Sequence, residues 1–138
     1  MRELFVDTNV VFDLLSGREP HAGNANGFFQ YAIKNDIVLH ICSFSYATLY
    51  YVLRKKMPHV NILHDLDWIS FLTKSLSVDE NVIQQSIKSQ FRDFEDAIQY
   101  FCALQIPKCE AIITRDRKGF KLSTIPFMPP DEFLAENV

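Results

Sequence analysis

No apolar run in this chain approaches the roughly 20 residues that cross a bilayer. The sequence enters its first apolar segment almost at once, without the succession of basic, apolar and small residues that marks a secretory leader. A cytoplasmic protein is therefore expected. Cysteine is scarce. Cys42, Cys102 and Cys109 are an odd number with no metal-ligand spacing, so neither a disulfide framework nor a thiolate metal site is expected. His21, His40, His59 and His64 are scattered and form no ligand pattern. Nor is the chain basic: 14 Lys and Arg against 17 Asp and Glu leave a net charge of −3, whereas most nucleic-acid binders are cationic overall. Repeats, linkers and low-complexity tracts are missing too. What remains is 138 residues, 48% of them hydrophobic, enough for one domain over 1–138 with a real core.

The most informative stretch runs from Leu4 to Leu15. An apolar run, Leu4-Phe5-Val6, stops at Asp7-Thr8-Asn9, and a helical pattern resumes with Val11, Phe12, Leu14 and Leu15. This is the pattern of a buried parallel strand handing over to a helix. It leaves a carboxylate at the strand's C-terminal end, where open α/β sheets bind ligands. A plainer role for Asp7 is to cap the helix that follows.

The remaining pattern alternates between helices and strands. Ala25, Phe28, Phe29, Ala32 and Ile33 keep helical spacing, and Ile37 to Ile41 forms a short strand. Ser43 or Ser45 is placed to cap a helix bearing Tyr46, Leu49, Tyr50 and Leu53, which ends in Arg54-Lys55-Lys56 and Pro58. From Val60 to Lys74 a helix carries two apolar faces, with Leu63, Trp68 and Phe71 beyond the main one. Core packing on both sides is the favoured expectation there, and a partner surface the alternative. A strand around Leu76 to Val78 precedes a helix from Asp79-Glu80 to about Ser89. Asp93-Phe94-Glu95-Asp96 opens an amphipathic helix, with Asp93 as N-cap and Asp96 placed to reach back. Ala111-Ile112-Ile113 is a buried strand ending in Thr114-Arg115-Asp116, and Ile125-Pro126-Phe127 is an edge strand because it carries proline. Asp131 to Ala135 is a short final helix. Such alternation predicts an α/β fold with a mainly parallel sheet.

Two strands ending in acids and a helix opening with them can converge at one sheet edge. Asp7, Asp96 and Asp116 would then share a pocket whose charges repel unless a cation or raised pKa values relieve them. Oxygen ligands favour hard cations such as Mg²⁺ or Mn²⁺. An ion held in this way activates water and stabilises charge on a phosphodiester. Arg115, Arg117 and Lys118 stand nearby as candidate phosphate contacts.

Taken together and in order, these pieces resemble a PIN domain. The resemblance is carried by Phe5-Val6-Asp7-Thr8-Asn9-Val10, Leu49-Tyr50-Tyr51-Val52-Leu53, Asp93-Phe94-Glu95-Asp96-Ala97, Ile112-Ile113-Thr114-Arg115-Asp116, and Ile125-Pro126 with Pro130-Asp131-Glu132-Phe133-Leu134. In size the chain is similar to VapC-type toxins, small bacterial ribonucleases held inactive by a cognate antitoxin. The resemblance implies a three-layer α/β/α fold with roughly five mainly parallel strands. It also implies Mg²⁺- or Mn²⁺-dependent RNA cleavage, an antitoxin partner and, often, a homodimer. By position, Asp7, Asp96 and Asp116 match the family's metal-binding catalytic acids, while Asn9 and Thr114 match polar residues that support the site.

The chain departs from that pattern at Thr48, where the family usually carries Glu in its third helix, and at Gly119, where a further acid is frequent. Asp93, on the same helix face as Asp96, and Glu95 are placed to compensate. Three acids hold a second metal less well than four or five. The alternative is therefore a catalytically weakened PIN-like module that binds RNA or a protein partner. A phosphoacceptor receiver domain also places an acid at a strand end. It needs paired acids there, and Val6-Asp7-Thr8 offers one.

Overall fold

The computed structural model describes residues 1–138. The chain runs β1 (Glu3–Val6), α1 (Thr8–Ser16), α2 (His21–Lys34), β2 (Val38–Cys42), α3 (Ser45–Leu53) and α4 (His59–Leu72). It continues with β3 (Lys74–Leu76), α5 (Glu80–Lys88), α6 (Phe94–Ala103), β4 (Cys109–Ile113), β5 (Phe127–Met128) and α7 (Pro130–Asn137). The five strands form one parallel sheet in the order β3-β2-β1-β4-β5. The expected α/β fold with a five-stranded parallel sheet is present.

Side chains alternate between faces along a strand, and here helices cover both faces. Leu4 and Val6 of β1, Leu39 and Ile41 of β2, and Ala111 and Ile113 of β4 point one way. They meet Val10 and Val11 of α1, Phe28 and Phe29 of α2, Leu49 and Leu53 of α3, Ile62 and Ile69 of α4, and Phe133 of α7. Phe5, Cys42 and Ile112 point the other way, onto Val82 of α5, Ile98 and Cys102 of α6, and the loop residues Phe120 and Ile125. Double burial is why Leu4-Phe5-Val6 and Ala111-Ile112-Ile113 read as unbroken apolar runs. The all-parallel pairing puts every strand's C-terminus at one edge, which carries the polar residues that follow Val6 and Ile113.

Four expectations need correction. Neither Ser43 nor Ser45 caps α3. Its N-cap is Phe44, without a side-chain hydrogen bond, and Ser45 is a fully buried residue of the first turn. The second apolar face of α4 is open rather than packed: Val60, Leu63, Trp68 and Phe71 are exposed, Phe71 by 89%. The helix buries only Ile62 and Ile69, because α3 and the sheet reach just one of its sides. Strand β3 also starts two residues earlier than expected, at Lys74, and Pro126 lies just before β5 rather than within it.

Phe28 is fully buried and meets Phe29 and Phe133 edge-on at 5.6 and 5.4 Å. Phe28→Ala should lower unfolding free energy by about 3–5 kcal/mol, through lost transfer energy and the cavity left behind. Phe71→Ala should change it by less than about 0.5 kcal/mol. Urea denaturation of both variants measures the contrast.

Candidate active site

Asp7 sits where β1 becomes α1. Its amide donates to the Ile113 carbonyl at 2.9 Å, continuing the β1–β4 ladder one residue beyond the strand. Its side chain accepts from the Asn9 amide at 3.3 Å, so Asp7 does cap α1. Capping occupies only part of the carboxylate. Oδ1 also accepts from Gln99 Nε2 at 2.8 Å, and Oδ2 accepts from the Thr114 hydroxyl at 2.6 Å. Asp7 is 3% exposed. Burial pushes its carboxyl pKa up; the Thr114 and Gln99 hydrogen bonds oppose the shift, and the charge of Asp116 adds to it.

Thr114, fully buried just past β4, accepts from the Asp116 amide at 2.9 Å while donating to Asp7. This one hydroxyl therefore ties the two strand-end acids together. Asp116 Oδ1 in turn accepts from the Gly119 amide at 2.9 Å, closing a tight turn. On the far side, Asp93 caps α6 by accepting from the Asp96 amide at 3.0 Å. Asp96 does not reach back to complete a capping box. Its Oδ2 is buried with no hydrogen-bond partner and lies beside Asp116.

Gly119 shows how close these two carboxylates come. A Cβ on Gly119 would overlap the Oδ2 atoms of both Asp96 and Asp116. Any side chain here would have to displace them. That close approach, rather than a special backbone angle, accounts for glycine at the position where an acid was noted as frequent. Burial, the facing Asp116 carboxyl, and the charges of Asp7, Asp116 and Asp93 push Asp96 up to about 8. With no ion bound, that shift favours the protonated form of Asp96 toward neutral pH.

Asp7, Asp93, Asp96, Gln99 and Asp116 line a cavity of about 280 Å³ together with Asn9, Thr48 and Glu95. Five acidic residues line it, Asp7, Asp93, Glu95, Asp96 and Asp116, and no Lys or Arg does. Thr48 lies on its wall, so the position where the acid was missing does belong to this cavity. Asn9 supplies a second buried oxygen without a partner, Oδ1. Orphaned oxygens and crowded carboxylates suit a hard divalent cation. No three of the side chains stand together as a ready-made set of ligands, however. Asp96 and Asp116 form the close pair, and Asp7 is turned toward Thr114 and Gln99.

Two of the three expected phosphate contacts are already engaged. Arg115 forms a bidentate pair with the buried Asp13 of α1, at 2.6 and 3.0 Å, and that pair raises the guanidinium pKa. Arg117 pairs with Glu132 of α7. Lys118 has no carboxylate partner. Sequence reading missed Gln99, which is 2% exposed and accepts from the Thr8 amide at 2.9 Å while donating to Asp7. It also missed Ser45, whose hydroxyl meets that of Thr8 at 2.6 Å. The available signal was spacing, since Gln99 lies one turn after Asp96 and within an apolar stretch of α6.

A carboxyl whose folded pKa exceeds its unfolded one favours the folded state only while protonated, so stability falls as pH rises between the two values. In EDTA the melting temperature should fall as pH rises from about 4 toward 8. Asp96→Asn should flatten that fall and melt a few degrees higher than wild type at pH 8. Parallel pH profiles in scanning calorimetry would contradict the assignment.

Several solved structures share this fold. Mycobacterium tuberculosis VapC20, a sarcin-ricin loop cleaving toxin, superposes with a TM-score of 0.66 at 13% identity, covering 86% of this chain and 94% of its own. FitAB bound to an IR36 DNA fragment gives 0.69 at 17%, covering 92% and 94%. VapBC2 from Rickettsia felis, bound to a promoter DNA fragment, gives 0.63 at 13%, covering 91% and 96%. No curated protein matches the chain by sequence. The PIN-domain profile matches residues 3–118, from the start of β1 to the loop that carries Asp116. Its match spans Asp7, Thr48, Asp96, Thr114 and Asp116, and the chain belongs to the PIN-domain family.

Proposed function

We propose that this chain, acting as one domain over residues 1–138, is a metal-dependent ribonuclease and the toxin of a type II toxin–antitoxin pair. The observation that carries the reading is the Asp96–Asp116 pair, whose oxygens crowd together beside Gly119 with Asp96 Oδ2 unpartnered. The likeness to VapC20 and to the FitAB and VapBC2 complexes supports it. Asp96 and Asp116 would hold Mg²⁺ or Mn²⁺, with Asp7 completing the set. A divalent cation there supplies Lewis acidity, lowering the pKa of water and offsetting charge on the phosphodiester.

The protein's own share is positioning. Thr114 and Gln99 hold Asp7, and Thr114 together with the Gly119 amide holds Asp116. Phosphodiester hydrolysis adds water to phosphorus, breaks one bond to a sugar oxygen and leaves the proton on that oxygen. Cytoplasmic action and a cognate antitoxin accompany this reading. The open face of α4 is available to such a partner or to a second copy of the chain. The second reading, a weakened module that binds RNA or protein, draws on Thr48, which brings a hydroxyl to the cavity wall in place of a carboxylate.

Asp116→Asn removes one charge while keeping size and shape. It should lower RNA cleavage by more than about 100-fold, since loss even of groups that only support a metal costs 10–100-fold. Unchanged cleavage by the folded variant would overturn the nuclease reading. Thr48→Glu should raise cleavage at fixed Mn²⁺ if a missing ligand limits the site. Cleavage unaltered by that change counts against a metal-site deficit.

A further inference from the structure

Next to the acidic cavity lies one of opposite charge. Phe91, Arg92, Lys118, Gly119, Lys121 and Leu122 line a cavity of about 470 Å³. Arg92, Lys118 and Lys121 are exposed, and none has a carboxylate partner. Their neighbours Arg115 and Arg117 are both neutralised by acids. Three clustered cations repel one another, and an anion relieves that repulsion. The lining is also partly apolar. Phe91 stacks on Tyr100 with ring centroids 5.0 Å apart, and Leu122 is 52% exposed.

Gly119 belongs to both sides. It lines the basic cavity, and its Cα backs onto the Oδ2 atoms of Asp96 and Asp116. The basic cavity is thus bordered by a residue that abuts two of the acids of the other cavity. Cations beside an apolar lining match the two parts of a nucleotide, with phosphate against the cations and base against Phe91 and Leu122. A base reaches such a lining only when it is free of a duplex stack.

We propose that this basic cavity is the subsite for the nucleotide flanking the scissile phosphate of single-stranded RNA, recognised by Arg92, Lys118 and Lys121 and by Phe91 with Leu122. The proposal rests on reading the acidic cavity as the cleavage centre. It moves the phosphate contacts away from Arg115 and Arg117, keeps Lys118, and adds two residues 26 and 3 positions from it in the chain.

Fluorescence anisotropy of a short labelled oligouridylate with the full chain in EDTA tests the subsite without requiring cleavage. The triple variant Arg92→Ala, Lys118→Ala, Lys121→Ala should bind about tenfold or more weakly, and its slope of log affinity against log salt should shrink by about 2. A control triple, Lys34→Ala, Lys55→Ala, Lys56→Ala, makes the same change in net charge at exposed positions and should bind nearly as wild type. Equal weakening by both triples, or by neither, overturns the subsite. Displacement of the probe by polyglutamate or inorganic polyphosphate as readily as by unlabelled oligouridylate also overturns it, because bases would then contribute nothing. If the first triple binds as wild type while Asp116→Asn abolishes cleavage, the subsite alone is wrong. If Asp116→Asn cleaves normally while the triple loses RNA, the cleavage-centre reading is the one that fails.

Discussion

The repulsion between Asp96 and Asp116 is the constraint on which the rest of this site depends. Two carboxylates that meet beside Gly119 cannot both ionise in a buried setting without help. Burial and the facing acid raise the Asp96 pKa, which favours its protonated form and relieves the constraint in that way. A divalent cation held by Asp96 and Asp116 would meet it in another way, by offsetting their charge. In the proposed reading, the crowding that disfavours a fully ionised pair is also what would favour uptake of a divalent ion. The protein carries this local instability because the surrounding groups are fixed from several directions.

Those directions come from the sheet. Parallel strands β1 and β4 are neighbours, and their polar ends follow Val6 and Ile113, which pair in register. The Asp7 amide extends the ladder, and the Thr114 hydroxyl crosses it to the Asp7 carboxylate. Helix α6 packs Ile98 and Cys102 into the second core, which places its first turn over the same edge. The Asp13–Arg115 pair then binds the loop after β4 to α1. Breaking it by removing one partner would leave a buried charge without compensation, so its role is to hold that loop in place rather than to meet substrate.

Much of this was legible in the chain because the relevant signals are local. Asp7 and Asp116 announce themselves as acids that end apolar runs, and Asp93 and Asp96 as acids that open an amphipathic helix. Thr48 was identified by position, and it does line the cavity. What escaped reading depends on distant partners. Arg115 looks like a free cation until Asp13, 102 residues away, is seen to hold it. Gln99 looks like an ordinary polar residue of a helix, and only the fold shows that it bridges Thr8 and Asp7. The breadth of the apolar surface on α4 was plain, yet whether it is covered depends on where α3 and the sheet end. Arg92 and Lys121 lie on opposite sides of α6 and β4 in the sequence, so their shared cavity had no local signature.

Calorimetric titration of Mn²⁺ at pH 7, in two buffers of different ionisation enthalpy, decides whether the Asp96–Asp116 pair takes up an ion. It reads ion binding and proton release together. Wild type should bind Mn²⁺ and release close to one proton, as Asp96 gives up the one it holds, and Asp96→Asn should bind far more weakly. Absence of binding at millimolar Mn²⁺, or binding that releases no proton and survives loss of the Asp96 carboxylate, would contradict this role for the acid pair.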